Sequence, residues 1–190
     1  MTSSRTGAAS PAKVQQLYEE AVAAYGPALK RLSRAYESDS ERRRDLLQDI
    51  HMALWESLGR FDGRCTLGTW VYRVAHNTAL TFTANRRRRD GREQPGEPAH
   101  EPAAAPSQER EAIEGQRRRQ LWDAVQALPV EERQIVVLYL EGLSAAEIEA
   151  ITGVSAGAVA TRLTRTRQKL AAQLQSEVST DKPMDGERRA

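Results

Sequence analysis

The sequence predicts an all-α protein: two small helical domains joined by a flexible linker, the second containing a helix-turn-helix. Three observations carry that reading. Apolar residues recur at three- and four-residue spacing through most of the 190 residues, and no strand signal rises above short β-branched pairs. Residues 91–107, GREQPGEPAHEPAAAPS, hold four prolines and little that could bury a core, which marks a linker. The stretch LSAAEIEAITGVSAGAVATRLTRTRQK, from Leu143 to Lys169, reads as two helices about a glycine turn.

Residues 1–11 show no packing pattern and are expected to be disordered, so the first domain spans 12–90. Val14, Leu17, Tyr18, Ala21, Val22 and Tyr25 mark an amphipathic helix. Gly26-Pro27 is expected to end it, with Leu29, Leu32 and Tyr36 carrying a second one. Asp39-Ser40 can cap a third helix, lined on one face by Leu47, Ile50, Leu54 and Leu58. Gly59 to Gly68 then reads as a loop. Thr69 starts a helix with Trp70, Val74 and Asn77 along one side, running into Arg86-Arg87-Arg88-Arg89. After the linker, a second domain over 108–176 begins with a helix striped by Leu121, Val125 and Leu128. Pro129 opens the next helix and Gly142 ends it. The tail, 177–190, is polar and expected to be disordered.

Ser144 with Glu147 three residues on forms a capping box, so a short helix should begin at Ala145. It should stop near Thr152-Gly153, where glycine tolerates the left-handed backbone. Ser155 is an N-cap candidate for a longer helix in which Val159, Leu163, Leu170 and Leu174 form an apolar stripe. Arg162, Arg165 and Lys169 lie on a neighbouring face. Support behind and long cations in front are what a helix in the major groove of DNA needs. Glu149 sits where the helix crossing usually wants a small residue, so its carboxylate must point outward.

Composition limits the function classes. A net charge of +2 gives weak whole-molecule attraction to nucleic acid, so any DNA affinity must come from local patches. The single Cys65 excludes an internal disulfide, and three scattered histidines offer no metal-ligand spacing, so neither metal nor cofactor is expected. The chain has no Gly-rich phosphate loop and no nucleophile with its base, which speaks against an enzyme. No apolar run approaches membrane-spanning length, and a cytoplasmic protein without membrane insertion is expected.

In the first domain, aromatics alternate with bases: Phe61 and Arg64 in the loop, then Trp70, Tyr72, Arg73, His76 and Asn77. Flat rings and cations together suit unpaired nucleotides, where stacking contributes roughly 1–3 kcal/mol per base. A Gly-containing loop beside them could hold a base swung out of the stack. At this point DLLQDIHMALWESLGRFDGRCTLGTWVYRVAHNTAL resembles region 2 of the extracytoplasmic-function (ECF) bacterial sigma factors. LWDAVQALPVEERQIVVLYLEGLSAAEIEAITGVSAGAVATRLTRTRQKL resembles their region 4. Asp45-Leu-Leu-Gln48, Phe61, Thr69-Trp70, Asn77, Leu128-Pro129, Leu143-Ser144 and Arg162 match in order.

The resemblance implies a sigma factor that binds core RNA polymerase and directs promoter-specific initiation. It implies that Asp45, Gln48 and Asp49 face the β′ clamp helices, and that the helices from Leu121 to Gly142 dock on the β flap. It assigns Phe61, Asp62, Gly63, Arg64 and Cys65 to the loop that captures a −10 base, with Trp70, Arg73, His76 and Asn77 along the melted strand. It assigns Ser155, Ala158, Thr161, Arg162, Arg165 and Lys169 to the −35 duplex. An anti-sigma factor is a further implied partner. The chain departs from the family in having Thr81 and Ala84 where an Asp and an Arg are common, and Ala160-Thr161 where Lys-Ser is usual. Two other readings compete: a one-component helix-turn-helix regulator, and a sigma-like helical adaptor without promoter activity.

Overall fold

A computed structural model describes residues 10–90 and 109–180, with side chains over 10–89 and 115–172. The described residues form helices α1 (Pro11–Tyr36), α2 (Ser40–Leu58), α3 (Leu67–Asp90), α4 (Glu109–Ala127), α5 (Val130–Leu140), α6 (Ala145–Thr152) and α7 (Ala156–Thr180), with no strand among them. The all-α expectation holds.

Local signals account for most boundaries. Ser10 accepts from the Lys13 amide, and Pro11 occupies the first turn, where its missing N–H costs nothing. The helix therefore starts within the stretch expected to be disordered. Asp39 caps α2 through the Arg42 amide. Ser144 and Glu147 form the reciprocal capping box that starts α6, and Gly153 ends it at φ 76°. At the other end of the chain α7 continues to Thr180, into the segment read as a disordered tail.

One boundary differs in kind. Gly26-Pro27 does not break the first helix; α1 runs through it for 26 residues. A proline inside a helix removes one hydrogen bond and costs about 3 kcal/mol. Here the apolar stripe stays in phase across it: Leu17 and Ala21 before, Ala28, Leu29, Leu32 and Tyr36 after, all buried on one side. Tertiary burial of that stripe outweighs the local penalty.

The core of the first half lies among α1, α2 and α3, where Leu29, Leu32, Leu46, Ile50, Leu54, Val71, Ala75 and Ala79 are enclosed. Leu46 takes the core position expected of Leu47, which is only half-buried. On α3 the buried stripe is Val71, Ala75 and Ala79 rather than Trp70, Val74 and Asn77. The sequence window there is apolar on several sides, so spacing alone did not select the face.

The two halves pack against each other. Val125, Leu128, Val136 and Val137 join the first cluster, while Ala28 and Tyr72 join Ile135, Leu138, Ile148, Ile151 and Val159 in a second. Polar contacts tie the seam: Arg31 donates to both oxygens of Glu141 at 2.7 and 2.6 Å, and Gln126 Nε2 donates to the Arg34 carbonyl at 2.6 Å. The expected linker lies outside the described residues.

Leu54 has no exposed surface and sits centrally in this core. Replacing it by alanine should lower the unfolding free energy by about 2–5 kcal/mol, from lost burial plus a residual cavity. Urea denaturation of the two proteins side by side measures the difference.

Candidate nucleic-acid interface

The loop between α2 and α3 is short and internally braced. Asp62 accepts from the Arg64 amide at 3.2 Å and pairs with the Arg64 guanidinium at 2.9 Å. Gly63 between them has φ 75°, a backbone region that side chains avoid. Phe61 meets the Trp70 ring edge-on at 5.5 Å, and Trp70 Nε1 donates to Ser57 Oγ at 3.0 Å. Trp70 is thus half-buried and fastens the loop to α2, while Asp62, Gly63 and Arg64 stand in solvent and Cys65 is a free, half-buried thiol.

The α3 residues divide. Asn77 is exposed and lines a groove of about 650 Å³ between α2 and α3, together with Asp45, Asp49, Thr81 and Asn85. Arg73 is half-buried and donates to the Ala150 carbonyl of α6 at 2.5 Å. His76, expected along the strand-facing surface, is instead fully enclosed. Its Nδ1 lies 3.0 Å from the Tyr36 hydroxyl and its Nε2 has no partner. That corrects the sequence reading: α3 turns His76 into the seam with α1, where it cannot touch DNA.

The α2 face shows what sequence reasoning missed. Asp45, Gln48 and Asp49 are all exposed as expected. The same face continues through Met52 and Trp55, 54% and 43% exposed. Gln48, Met52 and Trp55 line a cavity of about 330 Å³ with Tyr18, His51 and Glu56. Trp55 packs edge-on against Tyr18 at 5.3 Å, and the Tyr18 hydroxyl sits 3.0 Å from His51 Nδ1. Burial, then the charge of Lys30, lowers the His51 pKa. Counting on from Asp45 and Gln48 at helical spacing reaches Met52 and Trp55, so the signal was present. It was hidden because large apolar residues on an amphipathic helix are ordinarily read as core.

In the second half, α6 and α7 meet around Ile148, Ile151 and Val159. Leu163 and Leu170 extend the stripe half-buried; the Leu174 side chain lies outside the described residues. Ser155 caps α7 through the Ala158 amide at 3.4 Å. Glu149 is exposed, and its carboxylate also accepts from the Ala156 amide at 2.9 Å. An anion on the open end of α7 explains why an acidic residue is tolerated at the crossing. Thr161 and Arg165 are exposed, Ala158 and Arg162 half-buried, and neither arginine has a hydrogen-bond or ion-pair partner among the described residues. Lys169 is already engaged, reaching Glu132 of α5 at 2.9 and 3.0 Å.

Comparison with known proteins now bears on these surfaces. Residues 21–89 match the sigma-70 region 2 family and residues 118–170 the sigma-70 region 4 family. The ECF RNA polymerase sigma factor SigM of Mycobacterium tuberculosis (strain H37Rv) is 32% identical over 144 residues, covering 75% of this chain and 69% of SigM. The chain belongs to the ECF RNA polymerase sigma factors. The sigma factor NccH of Alcaligenes xylosoxydans is 30% identical over 171 residues, covering 85% of this chain and 89% of NccH. In fold the chain resembles the sigma factor RpoE of Bartonella quintana, solved with the anti-sigma factor NepR. The TM-score is 0.68 at 22% identity, over 83% of this chain and 96% of that one. A sigma factor of this group serves promoter-specific transcription initiation, binds core RNA polymerase and is not itself catalytic. Among the described residues no helix is long and apolar enough to cross a membrane.

Burial of His76 has a measurable consequence. Desolvation lowers its pKa to about 3, below the ordinary histidine value of 6.5. The unfolded chain therefore binds a proton below pH 6.5 that the folded chain refuses, and stability falls as the pH drops from 6.5 toward 3. That one group should contribute about 1.4 kcal/mol of loss per pH unit in the window. A His76→Gln variant should lack this component, so the wild-type and variant stabilities should converge on acidification, as read by urea denaturation at stepped pH.

Proposed function

We propose that this sigma factor divides promoter recognition between its halves, the first holding polymerase and the melted −10 strand and the second reading the −35 duplex. The observation that carries the reading is the presentation of α7. Val159 and the crossing with α6 support it from behind, while Thr161, Arg162 and Arg165 stand on its outer side. Unpartnered guanidinium groups on a supported helix suit guanine edges and phosphates in the major groove. Ser155 and Ala158, at the start of α7, fall where such a helix meets the backbone. Lys169 joins them once it releases Glu132.

In the first half, the loop from Phe61 to Cys65 is the proposed pocket for a flipped −10 base, with Trp70 holding the loop rather than stacking on DNA. Arg73 and Asn77 continue that surface; His76 is left out of it. Asp45, Gln48 and Asp49 form the proposed face toward the β′ clamp helices. Met52 and Trp55 add an apolar anchor of the kind that dominates protein interfaces. The helices α4 and α5 are the proposed contact for the β flap. The domain limits 12–90 and 108–176 follow from the same reading, as do action in the cytoplasm and control by an anti-sigma factor.

The packing of the halves constrains how this works. The −10 and −35 elements lie about 25 base pairs apart, roughly 85 Å at about 3.4 Å per step. Contacts between α3 and α6 are incompatible with that separation, so the halves must part on polymerase. Parting releases Arg73 from Ala150. Residues 91–108 can reach roughly 60 Å when extended, which with the domains' own size covers the distance. With both halves held on polymerase, the second DNA contact becomes effectively intramolecular.

Two tests follow. Purified protein should co-elute with bacterial core RNA polymerase as a one-to-one complex on gel filtration. Gln48→Ala/Asp49→Ala should weaken it, and Trp55→Ala should cost about 2 kcal/mol or more. A chain that instead runs as a dimer and binds duplex DNA unaided would favour the one-component regulator. Within the reconstituted holoenzyme, Arg165→Ala should cost about 1–3 kcal/mol in promoter affinity if it pairs with a guanine. Filter binding across a salt series reads that loss, and an unchanged affinity and salt slope would remove Arg165 from the −35 contact.

A further inference from the structure

Where the two halves meet, a second cavity opens, of about 400 Å³. Arg86, Arg87 and Thr83 of α3 line one wall, Ser38 in the connection between α1 and α2 lines the edge, and Gln126 and Arg133 line the wall from the second half. Tyr36 forms the floor, and the Arg133 guanidinium lies 5.7 Å from its ring centre.

The charge balance of this cavity is incomplete. Arg86 is matched by Glu37, whose buried carboxylate it contacts at 2.7 and 2.9 Å. Arg87 and Arg133 have no carboxylate within ion-pair distance among the described residues. Arg133 is only 8% exposed. Its Nη2 donates to the carbonyls of Gln126 and Leu128, while its Nε has no partner. Burial lowers its pKa; the neighbouring Tyr36 acts to raise it and the like charge of Arg87 to lower it. A buried guanidinium facing a second cation without a counter-ion is costly, because proteins pair buried charges almost without exception.

We propose that this cavity is a binding site for a small oligophosphate anion, clamped between Arg87 of the first half and Arg133 of the second. The Arg87 fork, the N–H groups of Arg133 not spent on the Gln126 and Leu128 carbonyls, and the Ser38 hydroxyl match the oxygens of a di- or triphosphate group; the Thr83 hydroxyl is already given to the Ala79 carbonyl. The volume admits such a group and excludes a nucleic-acid helix. An anion held there bridges α3 to α5 and so opposes the parting of the halves. The site itself does not depend on the promoter reading, and its test needs no polymerase.

The experiment is isothermal titration of the full chain with sodium tripolyphosphate at physiological salt. One saturable site per chain is expected. Arg87→Ala, an exposed change that leaves the core alone, should weaken it about tenfold, the equivalent of about 1.4 kcal/mol for a charged hydrogen bond. Arg133→Gln, checked for native circular dichroism, should weaken it similarly from the other half. Arg117→Ala, an exposed arginine on α4 outside the cavity, should leave binding within about twofold. Adenosine triphosphate binding as tightly as tripolyphosphate would assign the site to a nucleotide, weaker binding to inorganic oligophosphate; both support the proposal. No saturable binding, no loss in Arg87→Ala, or an equal loss in Arg117→Ala would overturn it. So would displacement of tripolyphosphate by a short single-stranded oligonucleotide whose own binding needs Arg87, which would give these arginines to a DNA backbone.

Discussion

The buried Glu37 carboxylate sets the geometry on which the candidate surfaces depend. It closes the C-terminal end of α1, is 1% exposed and accepts two contacts from Arg86 near the end of α3. A carboxylate so placed is tolerable only with its partner, so the pair fixes the rotation of α3 about its axis. Everything else on α3 follows from that rotation. Val71, Ala75 and Ala79 turn into the core, His76 turns toward Tyr36, and Asn77 faces the groove shared with Asp45 and Asp49. Four consecutive arginines then have four different surroundings. Arg86 points to Glu37 and Arg87 toward the second half, while Arg88 donates to Asn85 and Arg89 reaches the α2 groove.

The two halves use different means of presenting polar groups. In the second half the helix-turn-helix is held by short-range devices: the Ser144–Glu147 box, Gly153 in the left-handed region, and Glu149 on the first turn of α7. Such devices act within one turn and leave Arg162 and Arg165 of α7 without a hydrogen-bond or ion-pair partner among the described residues, while Lys169 is held by Glu132. The first half presents its loop by a relay across helices. Phe61 leans on Trp70, Trp70 donates to Ser57, and Ser57 donates to the Leu54 carbonyl in the core. The loop tip is exposed, but its footing reaches the centre of the α1–α3 core.

The seam between the halves is mixed: Val125, Leu128, Val136 and Val137 pack on the α1–α3 core, with polar contacts beside them. Tyr25 of α1 and Tyr72 of α3 meet edge-on at 5.8 Å on the first half's side, and the polar contacts across the seam are the Arg31–Glu141 ion pair and side chain-to-carbonyl bonds from Arg73 and Gln126. Water can replace the polar contacts at small net cost, but parting the halves also exposes the apolar residues they share, so it requires partners that cover or outweigh that burial. A seam of this kind suits halves that separate when each finds a stronger partner.

Much of the fold was legible in the sequence because its signals are local. A capping box, an aspartate N-cap, a proline just before a helix and a glycine at positive φ act within a few residues, so the limits of α2, α5 and α6 and the position of the helix-turn-helix could be read directly. Local spacing also placed Arg165 on an exposed face, and the family resemblance did so for Asp45, Gln48 and Asp49. What it could not contain were the long-range partners. Continuity of α1 through Pro27, burial of His76 against Tyr36, the outward turn of Trp55, and the pairing of Lys169 with Glu132 each depend on a residue or a neighbouring helix outside the local turn. Periodicity says that a helix has an apolar and a polar side. Only the packing of one helix on another decides which borderline residue, a histidine, a tryptophan or an arginine, falls on which.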